Sequence, residues 1–127
     1  MSTSALPDDV RRFILTSVPS VPYMEAMLLL RRGAAEPWNA AKVARHLYVP
    51  ESQAQKLLAD LRGAGVAGTR EAQEFGYAPA PELVRMIDAL ALCHAAHLME
   101  ITALIHSRTD RRALQFADAF RLRRPGA

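Results

Sequence analysis

NAAKVARHLYVPESQAQKLLADLRGAGV, residues 39–66, decides how this chain folds. Asn39 has the short polar side chain that accepts a hydrogen bond from the orphan amides of a helix start. Ala40, Val43, Ala44 and Leu47 then recur at helical spacing and make one apolar stripe. Proline disfavours helical geometry in the residue before it, so this first helix must stop before Pro50. Pro50 itself suits the first position of a new helix. Ala54, Leu57, Leu58 and Leu61 form the apolar face of that second helix. Gly63 and Gly65 end it, with Gly65 the better left-handed cap. Two short helices joined by a tight turn follow from these residues alone.

The next residues, AGTREAQEFGYAPA (67–80), read as a short hairpin. A helix-turn-helix followed by a hairpin is a winged helix, so the expected fold is mainly α with a small β-hairpin wing and flanking helices. Ala44 to Leu47, followed by the spacing Ala54, Leu57, Leu61, Gly65 and Val66, resembles the winged helix-turn-helix domains of bacterial transcription regulators in the broad MarR, ArsR and PadR sense. The chain is also similar to small bacterial winged-helix proteins that end in a run like Phe116–Phe120. The first resemblance covers about half the chain. It implies a protein that binds double-stranded DNA and regulates transcription; separately, the single cysteine, Cys93, cannot close a disulfide within the chain and favours the reducing cytoplasm. The resemblance implies further that a recognition helix, Pro50–Ala64, enters the major groove. Ser52, Gln53, Gln55 and Lys56 on its outer side can hydrogen-bond base edges or phosphates. Arg70 near the wing tip, with Lys42 and Arg45 on the first helix, would add contacts to the backbone. A winged helix can equally serve as a protein-interaction module for a transcription or signalling partner.

Charge bears on that choice. The 127 residues carry a net charge of +3 with a pI near 9.5, which permits a nucleic-acid partner. Residues 37–80 nevertheless hold five basic residues against four acidic ones, among them Glu51, Glu71 and Glu74. Each Lys or Arg on a phosphate adds affinity by counterion release. One copy therefore offers few contacts, and a dimer doubles them.

The remainder supplies flanking elements around a single domain: an N-terminal arm over 1–20, the winged core over 21–80, and a dimerising part over 81–127. Pro7, Asp8 and Asp9 open a short helix through Thr16. Ser20 caps the next, which holds Met24, Met27, Leu28 and Leu30 and stops at Gly33. From Glu82 to His106 the chain has neither proline nor glycine. That predicts one helix roughly 37 Å long. Its apolar residues cover more than one stripe, so it needs partners on several sides. A second copy is the economical partner, and a core helix within one chain is the alternative. Ser107 and Asp110 fit a capping box for a last helix carrying Ala113, Leu114, Phe116, Ala117 and Phe120. Arg121, Arg123 and Arg124 follow, suited to the negative end of a helix dipole.

Catalytic patterns are missing from the sequence: it has no glycine-rich phosphate loop, no nucleophile elbow and no paired carboxylates with a supporting histidine. A binding protein is expected, not an enzyme, with no cofactor. No apolar run reaches the ~18 residues of a membrane span. Cys93, His94, His97 and Glu100 fall within two helical turns, and such side chains can bind zinc or copper. Two or three ligands on one helix do not complete a tetrahedral site, so histidines at a helix interface beside a small cysteine are the expected reading, without metal.

Overall fold

The computed structural model describes residues 6–71 and 74–107. It is mainly helical, with one small two-stranded antiparallel hairpin. Six helices occur among the described residues: α1 (Asp8–Ser17), α2 (Val21–Arg32), α3 (Ala40–Leu47), α4 (Glu51–Gly63), α5 (Pro81–His94) and α6 (Leu98–Ser107). Strands β1 (Ala67–Thr69) and β2 (Phe75–Tyr77) lie between α4 and α5. None of these helices is by itself long and apolar enough to cross a membrane.

Helix α1 starts after Pro7, with Asp8 and Asp9 in its first turn. Carboxylates there complement the helix dipole. The chain then bends by 113° into α2. Ser20 caps that helix through its hydroxyl, which accepts from the Tyr23 amide at 3.2 Å. Tyr23, Met24, Ala26, Met27, Leu29 and Leu30 are all buried, so α2 is wrapped on most sides and forms the centre of the core. It ends at Gly33, as the glycine predicts.

Trp38 organises the segment that follows. It is 2% exposed, and its indole N–H donates to the Gly33 carbonyl at 3.0 Å. A Cβ at Gly33 would collide with the Trp38 ring, so glycine is needed there for space. Trp38 also pairs with Phe75 through two 2.7 Å backbone hydrogen bonds, adding a one-residue bridge beside the hairpin. In the hairpin itself Ala67, Gly68 and Thr69 face Tyr77, Gly76 and Phe75.

Residues 39–66 fold largely as their pattern dictates. The Asn39 side chain accepts from the Lys42 amide at 2.8 Å. The apolar face of α4 is Ala54, Leu57, Leu58 and Leu61, all buried. Gly65 takes φ 81°. The Val66 amide bonds the Leu61 carbonyl at 2.9 Å and the Gly65 amide bonds that of Arg62 at 3.1 Å, the pair of bonds that closes a glycine-ended helix. One boundary differs. Pro50 caps α4 instead of opening it, because its ψ of 149° is extended while its carbonyl already accepts from Ala54.

The expected continuous helix over 82–106 does not form. It breaks at Ala95–His97, and α6 begins at Leu98. The cause is core reach, not a local breaker. In a straight helix Ile105 would stand about 27 Å along the axis from Ile87. The break instead lets Ile101 and Ile105 share one core with Ile87 and Leu90, all at most 1% exposed. Ion pairs accompany this packing: Arg11 on α1 meets Glu100 on α6 at 3.3 Å, and Arg85 on α5 meets Asp9 on α1 at 3.4 Å. Such exposed pairs contribute only about 0.2–1 kcal/mol each. Much of the apolar surface that asked for a second copy is thus buried within one chain. Leu92, Leu98 and Met99 remain exposed around the corner. Ser107, expected to cap a last helix, is instead the final residue of α6; Asp110, the last helix itself and the terminal arginines lie outside the described residues.

Candidate nucleic-acid interface

Helix α4 presents its outer side because Leu57, Leu58 and Leu61 fasten its inner side to the core. Ser52, Gln53, Gln55 and Lys56 are all exposed on that outer side. Their amides, hydroxyl and ammonium can donate or accept as base edges require. Lys56 also meets Asp60 one turn on, at 2.9 Å. With Glu51 and Arg62 exposed on the same helix, its surface charge is balanced. The three-residue turn before α4 (Tyr48, Val49, Pro50) sets its angle to α3.

The three supporting cations fare differently. Arg45 is exposed and makes no ion pair among the described residues. Lys42 is committed elsewhere. Its ammonium donates to Glu36 at 2.6 Å and to the Pro37 carbonyl at 3.1 Å, and it stands 4.3 Å from the Trp38 ring centre. That hydrogen bond, with the ammonium charge behind it, holds the Glu36 carboxyl below its usual range. A phosphate would have to compete with all three contacts. Arg70 is exposed next to the hairpin tip, and its amide donates to Glu74 at 2.6 Å. Its guanidinium is laid back across Gly76, where a Cβ would strike it. Ser52, Gln53, Gln55 and Lys56 therefore form one surface, with Arg45 a helix away and Lys42 and Arg70 drawn aside.

Tyr48 stands out only in the folded chain. It adopts φ 58° and ψ 48°, the one non-glycine residue with positive φ among those described, and it is 93% exposed. Bulky side chains rarely take this conformation. The forced stop before Pro50 was the available signal, since a helix that ends so abruptly needs a left-handed residue to reverse the chain.

Around the α5–α6 corner the groups that suggested a metal are dispersed. Glu100 pairs with Arg11, and Cys93 is a half-buried free thiol packed against the core. Among the described residues no three His, Cys, Asp or Glu side chains are close enough to hold a metal ion.

Two tyrosines are perturbed. Burial raises the phenol of Tyr23, with Asp60 adding to the effect. Burial likewise raises Tyr77, with Asp88 adding and Arg31 opposing. The Tyr77 hydroxyl is enclosed and has no hydrogen-bond partner among the described residues. Comparison with known proteins yields no match: no family model, no curated protein and no solved structure is similar to this chain.

Proposed function

We propose that this chain is a winged helix-turn-helix protein that binds double-stranded DNA and regulates transcription in the cytoplasm as a homodimer. The observation that carries the reading is the surface of α4. A helix of 13 residues is seated on the core by one side and leaves Ser52, Gln53, Gln55 and Lys56 exposed on the other. A helix of that width fits the major groove, and those side chains suit its donor and acceptor pattern. The hairpin pinned to Trp38 supports the part of a wing. Arg45 adds a cation beside α4. The role is binding, not catalysis.

Homodimerisation draws support from Leu92, Leu98 and Met99, which are 83%, 44% and 83% exposed at the α5–α6 corner. A second copy would cover them and double the phosphate contacts.

The balanced charge of α4 and the engagement of Lys42 favour a second reading, in which the same surface docks a protein of the transcription or signalling machinery. Selection from a random duplex library separates the two. Purified protein should enrich a short sequence motif if it reads bases. Failure to enrich any motif at low salt contradicts the DNA reading and leaves the protein partner.

A further inference from the structure

A groove of about 470 Å³ runs between α2, the end of α3 and the end of α5, and none of its lining residues belongs to the outer face of α4. That volume falls in the range of small-molecule sites, roughly 300–1,000 Å³. Arg31, Arg32, His46, Tyr48, His94 and Glu25 supply its polar and aromatic wall, over a floor that includes Leu28. Arg31 gives its Nε–H to Asp88 at 2.9 Å, leaving its other N–H groups. Arg32 makes no ion pair among the described residues. The His46 ring is set edge-on to Trp38, with centroids 5.4 Å apart and planes 67° apart. Tyr48, left-handed where the chain reverses, stands at this groove with its ring exposed.

These groups are complementary to different parts of one ligand. Two guanidiniums and two imidazoles carry more N–H groups than the two oxygens of a carboxylate can fully use, whereas a phosphate presents three terminal oxygens. The Tyr48 ring offers a face on which a planar base can stack. A carboxylate such as Glu25 can accept from sugar hydroxyls, as acidic residues do in dinucleotide sites. We propose that this groove binds a nucleoside monophosphate, with the phosphate on Arg32 and the two histidines, the ribose at Glu25 and the base on Tyr48.

The test is amide and arginine side-chain NMR of the full chain, titrated separately with adenosine monophosphate, cytidine monophosphate, inorganic phosphate, adenosine and benzoate. At least one nucleotide should shift the signals of Arg31, Arg32, Tyr48 and His94 saturably, with a Kd of about 1 mM or tighter. Phosphate alone and adenosine alone should bind about tenfold more weakly, because each fills part of the groove. Arg32→Ala and Tyr48→Ala should each weaken nucleotide binding by about tenfold while the rest of the spectrum keeps its dispersion. Lys56→Ala should leave it unchanged. The proposal is overturned if neither nucleotide shifts these signals, if benzoate binds as tightly as the nucleotides, or if Arg32→Ala binds as the parent does.

Discussion

Replacing Tyr48 with glycine should make this protein more stable, although it removes an aromatic side chain. The left-handed conformation costs a residue with a Cβ roughly 1–2 kcal/mol. Tyr48 occupies it at φ 58° and ψ 48°. Its side chain is 93% exposed, so its loss removes almost no buried apolar area. Glycine relieves the steric cost but gives the unfolded chain more freedom, worth about 0.4–1 kcal/mol in the opposite direction. The two ranges leave a net gain for Tyr48→Gly of about 0–1.6 kcal/mol, centred near 0.8 kcal/mol, or roughly 3 °C in Tm for a domain of this size. Tyr48→Asn should gain a similar amount, since asparagine tolerates the same geometry. Tyr48→Ala keeps the strain and should stay within about 0.5 kcal/mol of the parent. Urea denaturation followed by far-ultraviolet circular dichroism measures all three. If Tyr48→Gly is less stable than the parent, or Tyr48→Ala loses more than about 1 kcal/mol, the ring packs and the reasoning fails.

Three further outcomes are expected. Ile101→Ala should destabilise the fold by about 2–5 kcal/mol, because Ile101 is fully buried within one chain; equilibrium unfolding at two protein concentrations checks it, and a loss seen only at low concentration would instead place Ile101 in a subunit interface. The parent should sediment as a dimer at micromolar concentration while a Leu92→Glu, Met99→Glu double variant sediments as a folded monomer; a monomeric parent removes the proposed pairing. Tyr23 and Tyr77 have phenols raised above 10.0, so the unfolded chain gives up those protons first. Their contribution is complete below about pH 10 and is lost as pH rises through the folded values. Absorbance of phenolate should therefore rise late for two of the three tyrosines, and an alkaline titration matching three free phenols would contradict the burial.

Much of the architecture was legible because its determinants are local. Asn39, Pro50 and Gly65 act within a few residues of themselves, and the apolar spacing of Leu57, Leu58 and Leu61 orients α4 without outside help. The outward set Ser52, Gln53, Gln55 and Lys56 follows from that same spacing. What escaped depends on residues far apart. Trp38 reads as an isolated aromatic until Phe75 is paired with it. Lys42 reads as a free cation until the preceding loop brings Glu36 and the Trp38 ring to its ammonium. No glycine or proline marks the break at Ala95–His97; the extent of the core that Ile101 and Ile105 must reach determines it. Arg70 is turned back by the open surface over Gly76, a feature of strand pairing and not of the Arg70 segment.

Salt dependence of duplex binding tests the outer face of α4 most directly. Affinity of the parent, Lys56→Ala and Lys42→Ala proteins for one duplex is measured by fluorescence anisotropy across a series of salt concentrations. Lys56→Ala should weaken binding and reduce the slope of log K against log salt by about 0.9, one phosphate contact. Lys42→Ala should leave the slope unchanged, because its ammonium is held by Glu36 and the Pro37 carbonyl. Parental affinity and slope in Lys56→Ala, or no duplex binding by the parent at low salt, would contradict the assignment of α4 as the DNA-reading helix.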